Sequence, residues 1–369
     1  MVAYDIILTR RKLEGAGLVR ADIDLLCTRA LRVAEVKEFE RADSLLQQAL
    51  TLAGKDKRVQ GRVEVAQCRL ARLRGDLDEA QRQSRHALEL LQEHGDSEDI
   101  AEAAIYLASV EGVRSNFPAA EALYKRALRL LANSQNQRLI ALAHWGMGST
   151  AGDQERFQEA HEHLKIALEC GRDLLTLGER GRLQEAAAIS CRDRGLHDES
   201  LDLAARALHA FEVAGEPERA ADVHNTIGSI HARRGDRCTA RASYEQALAA
   251  LNGEVAPEAA EAYYELARLE LEDGQPDAAL DSAHKALKLA LELRSAAEEG
   301  RASLVLGQVL MSIERPADAI PHLRRAQTVF SECGMQQSEI VATYIMQKGG
   351  HEECGSSSTC WASPWPPSY

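Results

Sequence analysis

Residues 221–251 read ADVHNTIGSIHARRGDRCTARASYEQALAAL, and the reading of this stretch decides the fold of the chain. Two apolar-periodic segments flank a short polar turn at Gly235-Asp236. Apolar residues at three- and four-residue spacing mark one face of a helix, so the stretch predicts a helical hairpin whose inner face must be buried by neighbouring hairpins. The first helix of the hairpin is called A here and the second B.

The same segment recurs in both directions along the chain: a turn residue, a small residue two to five positions later, and Ala-Leu seven beyond that. Clear copies are Gly75 to Ala80 with Ala87-Leu88, Phe117 to Ala120 with Ala127-Leu128, and Phe157 to Ala160 with Ala167-Leu168. Gly235 to Ala240 with Ala247-Leu248 and Gly274 to Ala279 with Ala286-Leu287 complete the set. Weaker copies centre on Ala42, Ser200 and Ala319. The anchors 42, 80, 120, 160, 200, 240, 279 and 319 are spaced by 38, 40, 40, 40, 40, 39 and 40 residues, a period that chance does not hold. Proline supports the boundaries, because it is tolerated at the first helical position. Pro118, Pro276 and Pro316 precede their anchors, and Pro217 and Pro257 open A helices. Gly95, Gly215 and Gly334, each 15 residues past an anchor, are expected to end B helices in the left-handed conformation. Pro321 is expected to kink the last B helix.

These residues resemble the tetratricopeptide repeat family in a long version of about 40 residues per unit. Ile227-Gly228, Gly235, Ala240, Tyr244 and Ala247 fall on the family's Leu-Gly, Gly, Ala, aromatic and Ala positions, and Gly148 and Gly307 occupy the helix A glycine column elsewhere. The family's first tryptophan is replaced by His224, His144 or Tyr263, and the first unit matches on helix B alone. The resemblance implies an all-α, right-handed superhelical solenoid of antiparallel helix hairpins, in which no unit folds alone. Residues 21–348 are expected to hold about eight repeats and a C-terminal capping helix, after a partial helix in residues 1–20. That partial helix, at Ala3 to Glu14 with Gly17 beyond it, extends the column count into a preceding repeat. Residues 349–369, rich in Ser, Pro and Trp, break the composition and read as a disordered or out-of-frame tail.

Composition narrows the function classes. A formal net charge of −13 provides no general affinity for nucleic acid or anionic lipid. The eight cysteines form no C-x-x-C pair, no window approaches a membrane span, and no signal peptide is evident, so reduced thiols and a cytoplasmic location are expected. No phosphate loop is present, and Gly146 and Gly148 fall inside a helix A, where close packing accounts for them. His351, Cys354 and Cys360 make a loose metal candidate, outweighed by an unstructured tail. His161 and His163 point to different faces of one helix and cannot chelate together, and His224 and His231 fall on packing columns. Ser190, Cys191 and Asp193 have no identified base. The expectation is a binding protein with no enzyme activity, cofactor or metal.

In this family one face of each helix A lines the concave groove. The column count places Arg62, Val65, Arg69 and Arg72 there in unit two, Glu102 and Ser109 in unit three, and Leu142, Trp145 and Ser149 in unit four. Arg182 and Arg192 follow in unit five, Asn225 in unit six, Glu261, Tyr264 and Arg268 in unit seven, and Arg301 and Gln308 in unit eight. Arginine forks pair bidentately with carboxylates, which suggests a protein or peptide partner with an acidic segment or a free C-terminal carboxylate. The opposing reading pairs these arginines with Asp and Glu of neighbouring helices. Two roles remain: a scaffold or adaptor holding a partner in the groove, or the ligand-sensing region of a larger bacterial-type regulator whose DNA-binding or signalling domain lies outside this chain.

Overall fold

The computed structural model describes residues 20–34, 37–154, 156–333, 340–343 and 345–346. Among these residues helices alternate with turns and no strand occurs. The chain divides into two compact units, Met1–Leu196 and His197–Tyr369. The first contains α1 (residues 20–34), α2 (Phe39–Ala53), α3 (Lys57–Leu73), α4 (Leu77–His94) and α5 (Ser97–Val113). It continues with α6 (Phe117–Leu130), α7 (Gln137–Asp153), α8 (Phe157–Gly171) and α9 (Leu177–Asp193). The second contains α10 (His197–Ala214), α11 (Pro217–Arg233), α12 (Arg237–Leu251), α13 (Pro257–Glu272), α14 (Pro276–Leu293), α15 (Ala296–Ser312) and α16 (Pro316–Cys333). Odd-numbered helices from α3 onward are the A helices and even-numbered ones the B helices. Within each unit successive helices pack together, and consecutive A helices also touch: α3 on α5, α5 on α7 and α7 on α9 in the first, α11 on α13 and α13 on α15 in the second.

All eight anchors lie on B helices and are at most 1% exposed: Ala42, Ala80, Ala120, Ala160, Ser200, Ala240, Ala279 and Ala319. A larger side chain at these crossings would hold helix A away from helix B. Tyr263 packs against the core cluster around Tyr244 and Leu266 and also against that around Leu306 and Leu323, so one side chain serves two repeats. No hairpin buries its own apolar face, and stability comes from stacking.

Seven of the eight turns from A to B share one geometry among the described residues. Five residues before the anchors Ala42, Ala80, Ala120, Ser200, Ala240, Ala279 and Ala319 the backbone is left-handed, at Lys37, Gly75, Ser115, Gly195, Gly235, Gly274 and Glu314, with φ between 59° and 82°. The next residue donates its amide to the carbonyl five positions back, as in Asp76 to Ala71 at 2.9 Å, Asp236 to His231 at 2.9 Å and Gln275 to Glu270 at 2.8 Å. This is the six-to-one bond of a Schellman C-cap, and it satisfies carbonyls that the end of the helix would leave orphaned.

The five prolines begin their helices as expected: Pro217, Pro257, Pro276 and Pro316 at the first position and Pro118 at the second. The glycine expectation holds at Gly215, where φ is 69°. It fails at Gly95, whose backbone is extended, with φ −90° and ψ 172°. A Cβ there would lie 2.8 Å from the Leu91 carbonyl oxygen and 3.1 Å from Asp99 Cβ, so glycine is required for room and not for a left-handed turn. Gly334 lies outside the described residues. Pro321 does not end α16, which is assigned as one helix from Pro316 to Cys333. The expectations for residues 1–19 and for the tail 349–369, including its metal candidate, also fall outside the described residues. Among the described residues no helix is long and apolar enough to cross a membrane.

Candidate ligand-binding faces of the A helices

In the first unit Arg62, Arg69 and Arg192 are held by carboxylates of the same unit. Arg62 reaches Asp24 at 3.0 Å and the buried Asp99 at 3.7 Å. Arg69 on α3 lies over the Tyr106 ring, 5.1 Å from its centroid, and bonds Glu179 Oε1 on α9 at 3.2 Å. Arg138 on α7 donates to the same oxygen at 2.7 Å. Glu179 is 6% exposed, and its Oε2 accepts the amide of Thr176 at 3.0 Å in a capping box. Burial opposes ionisation of Glu179, but Arg138, Arg69, the Thr176 amide and Arg182 outweigh it and hold the carboxyl below its usual range. Arg72 is exposed and donates to the Ser109 hydroxyl at 2.9 Å. Arg192 pairs with its neighbour Asp193 at 2.9 Å, and Arg182 and Trp145 are half-buried on α9 and α7.

Arg62 and Arg69 are thus paired with Asp24, Asp99 and Glu179, as the opposing reading of these arginines has it. Reversing Arg69 to glutamate would set one carboxylate against buried Glu179. Arg85 on helix B likewise holds the buried Glu111 at 2.9 Å. Arg138 and Glu179 were missed, although a signal was present. Arg138 stands four residues before Leu142 and Glu179 three before Arg182, one helical turn N-terminal to positions already assigned to the groove.

In the second unit the A helices present carboxylates. Asn225 on α11 is 1% exposed, its Nδ2 donates to the Glu258 carbonyl at 2.9 Å, and its Oδ1 accepts no hydrogen bond. Arg268 bonds both oxygens of Glu265 at 3.0 and 3.1 Å, and Arg301 bonds Glu298 Oε1 at 2.6 Å. Glu298 is 7% exposed and its Oε2 has no partner. Burial, then the charge of Asp222, raises Glu261 to about 8, with Arg301 opposing and Glu265 and Glu298 adding to the rise. Buried Tyr264 is also pushed upward, first by burial and then by Glu261. Gln308 on α15 is half-buried, about two turns beyond Arg301. Asp222, Glu258, Glu265 and Glu298 are the members of this face that the sequence reading did not single out.

Two further arrangements join residues distant in sequence. His144 Nδ1 on α7 lies 2.8 Å from His163 Nδ1 on α8, and burial followed by the His163 charge lowers His144 to about 4. His163 is lowered as well, first by burial. His161, on another face of α8, sits 3.7 Å from Cys191 Sγ, so the base missing from the sequence reading exists, but Cys191 is 1% exposed. Among the described residues no group of three or more His, Cys, Asp or Glu could hold a metal ion.

The histidine pair makes a pH prediction. The unfolded chain takes up a proton at His144 near its ordinary 6.5 while the folded chain resists until about 4, so stability is present above 6.5 and is lost as pH falls through that window. His144→Gln is expected to remove about 1 kcal/mol of the stability difference between pH 7 and pH 5. Urea midpoints at the two pH values measure it, and an unchanged difference would assign the acid sensitivity elsewhere.

Comparison with known proteins accords with this geometry. The tetratricopeptide repeat family model matches residues 225–291 and 274–333, which span α11 to α16. The chain resembles the crystal structure of a Rap protein complexed with Competence and Sporulation Factor, with TM-score 0.62 and 16% identity over 90% of this chain and 98% of that one. It also resembles the Rap conjugation gene regulator of plasmid pLS20 in complex with a Phr peptide, with TM-score 0.51 and 14% identity over 91% and 95%. A third similar structure is aspartyl phosphate phosphatase F from Bacillus subtilis, with TM-score 0.51 and 12% identity over 93% and 97%. At these identities the likeness is one of fold. By sequence the chain matches no curated protein.

Proposed function

We propose that this chain, whose residues 225–333 match the tetratricopeptide repeat model, is a scaffold that binds a protein or peptide segment along the faces of its A helices. The observation that carries this reading is on the A-helix face of the first unit, where Arg72 is exposed and bonded to the Ser109 hydroxyl. A guanidinium in reach of solvent keeps donors for a carboxylate or carbonyl of a bound segment. A similar fold holding a Phr peptide supports the same reading. The phosphatase of similar fold brings catalysis into question, but the described thiol nearest a base, Cys191, is too buried to meet a substrate.

The acidic or C-terminal carboxylate reading of the ligand narrows to Arg72, which is exposed and bonded to a hydroxyl. A ligand carboxylate at Arg69 would have to displace Glu179. Such displacement would undo a contact between residues 110 positions apart, joining α3 to α9. That coupling favours the second role, a ligand-sensing region of a regulator, and the conjugation gene regulator of similar fold agrees with it.

The test is fluorescence anisotropy of the full chain with pools of short labelled peptides grouped by net charge. Saturable binding of at least one pool is expected. Arg72→Ala should weaken any acidic or free-carboxylate peptide about tenfold, the loss of one charge-assisted hydrogen bond. If no pool binds, the reading is wrong.

A further inference from the structure

We propose that Arg69 is an exchangeable anchor for a carboxylate of the bound segment, on a side chain or at a C-terminus, and that this carboxylate takes Arg69 from Glu179 and so unties α3 from α9. This deepens the peptide reading and rests on it. Side chains from four successive A helices of the first unit meet at one point. Arg69 Nη2 on α3 and Arg138 Nη2 on α7 converge on Glu179 Oε1 of α9, at 3.2 and 2.7 Å. The Arg69 guanidinium lies over the ring of Tyr106 on α5, 5.1 Å from its centroid. Glu102, the other acidic side chain whose charge reaches Arg138, forms no ion pair with it. Two guanidiniums therefore share one oxygen of one carboxylate, each through a single nitrogen.

The two arginines are not equivalent. Arg138 holds the shorter bond, and Arg69 holds a longer one to an oxygen that Arg138 already occupies. A guanidinium carries five N–H donors in a fork that matches both oxygens of a carboxylate, so an incoming carboxylate replaces one long bond at Arg69 with two. Glu179 is not stranded by the exchange. It keeps Arg138 through Oε1 and the Thr176 amide through Oε2 at 3.0 Å, which avoids the cost of a buried charge without a partner. The side chain of Arg69 is 24% exposed, so a ligand can reach it.

A second group at the same point is open to an anion. Tyr106 is 6% exposed, and its buried hydroxyl has no hydrogen-bond partner. The guanidiniums beside it have no acceptor to offer, and an incoming carboxylate brings one. The consequence of the exchange lies in the helix stacking. α3 packs on α5, α5 on α7 and α7 on α9, but α3 and α9 do not pack on each other, so the Arg69 to Glu179 bond reaches across the face that the four helices share. Its exchange for a ligand carboxylate leaves α7 tied to α9 and frees α3.

The experiment measures fluorescence anisotropy of the full chain with three labelled peptides of one sequence. One is amidated with a central glutamine, one is amidated with a central glutamate, and one has the glutamine and a free C-terminal carboxylate. At least one carboxylate peptide is expected to bind about tenfold more tightly than the amidated glutamine peptide, and which one does so identifies the source of the carboxylate. Arg69→Ala should remove that preference. Glu179→Gln takes away the competing charge and should strengthen the preference about a further tenfold, a gain that a damaged fold does not give. If urea unfolding shows Glu179→Gln to be unfolded, Glu179→Asp takes its place with the same expected direction. Its shorter side chain withdraws from Arg69 and can keep the capping box, as Asp99 does on α5. Arg82→Ala on α4, exposed and paired with Glu79, should change nothing. A carboxylate preference that survives Arg69→Ala, or that the Glu179 variant leaves unchanged, overturns the exchange and leaves the peptide reading standing. Equal binding of the three peptides does the same, and failure of all three to bind overturns both.

Discussion

Replacing Glu179 with alanine is expected to destabilise the first unit by about 3–5 kcal/mol, the cost of removing one partner from a buried ion pair. The carboxylate is 8% exposed as a side chain and serves two guanidiniums, Arg138 at 2.7 Å and Arg69 at 3.2 Å, themselves 28% and 24% exposed. Its loss leaves two half-buried cations facing each other and also removes half of the capping box at the start of α9. Arg138→Ala loses the shorter bond, whereas Arg69→Ala loses the contact with the Tyr106 ring as well, so the two should cost similar amounts. The pH dependence has a definite sign. Glu179 is held below its ordinary 4.5, so its contribution is present above 4.5 and is lost as pH falls through the folded value. Urea unfolding of parent and variant should therefore differ widely at pH 7 and converge in acid. A difference that is already small at pH 7 would mean that Glu179 is not what joins α3 and α7 to α9.

That triad also shows where sequence stops being informative. The anchors were legible because each is a small residue at a crossing within one hairpin, and the same crossing is made eight times, which turns a weak local preference into a period. The prolines were legible for a local reason, the missing amide at a helix start. The left-handed turn was half legible. Gly75, Gly195, Gly235 and Gly274 mark it, but Lys37, Ser115 and Glu314 adopt it without glycine, since the six-to-one hydrogen bond and the packing of the two helices impose it. The charge of the A-helix faces was not legible. Arg69 looks free until Glu179 is brought to it across 110 residues, a distance no local pattern spans. In addition, Asp99, Glu179 and Glu298 occupy the first turns of their helices, where an acidic residue is already expected for the helix dipole. Nothing local distinguishes such a residue from one that also faces a guanidinium. Asn225, Glu261, Tyr264 and Arg301 were placed on one face by their columns, and the structure sets them on adjacent helices. What the columns could not supply was the surplus of carboxylate there.

The hairpin that decided the fold makes the other large prediction. Gly228 on α11 faces Tyr244 on α12, which is 0% exposed, and a Cβ at Gly228 would lie 2.5 Å from Tyr244 Cε1 and 2.7 Å from Cδ1. The ring thus occupies the volume that any other residue at 228 would need, and glycine and tyrosine form one packing unit. Tyr244→Ala empties that volume and should cost about 3–5 kcal/mol, as large-to-small changes of buried aromatics do. Gly228→Ala gains about 1 kcal/mol of helix propensity but forces the ring to move in a filled core, for a net loss of about 1–2 kcal/mol. Together the two should not add: once the ring is gone, the new methyl enters space that the tyrosine has left, and Gly228→Ala becomes neutral or stabilising. The coupling expected from a double-mutant cycle in urea is therefore about 1 kcal/mol or more, with the double variant more stable than the sum of the singles. Additivity within about 0.5 kcal/mol would mean that α11 and α12 approach less closely than the glycine column requires. Gly307 on α15 meets Leu323 in the same way, with Leu323 Cγ 2.6 Å from the added Cβ. A leucine can turn its branched end where a ring cannot, so Gly307→Ala should cost less than Gly228→Ala, and its coupling to Leu323→Ala should be smaller.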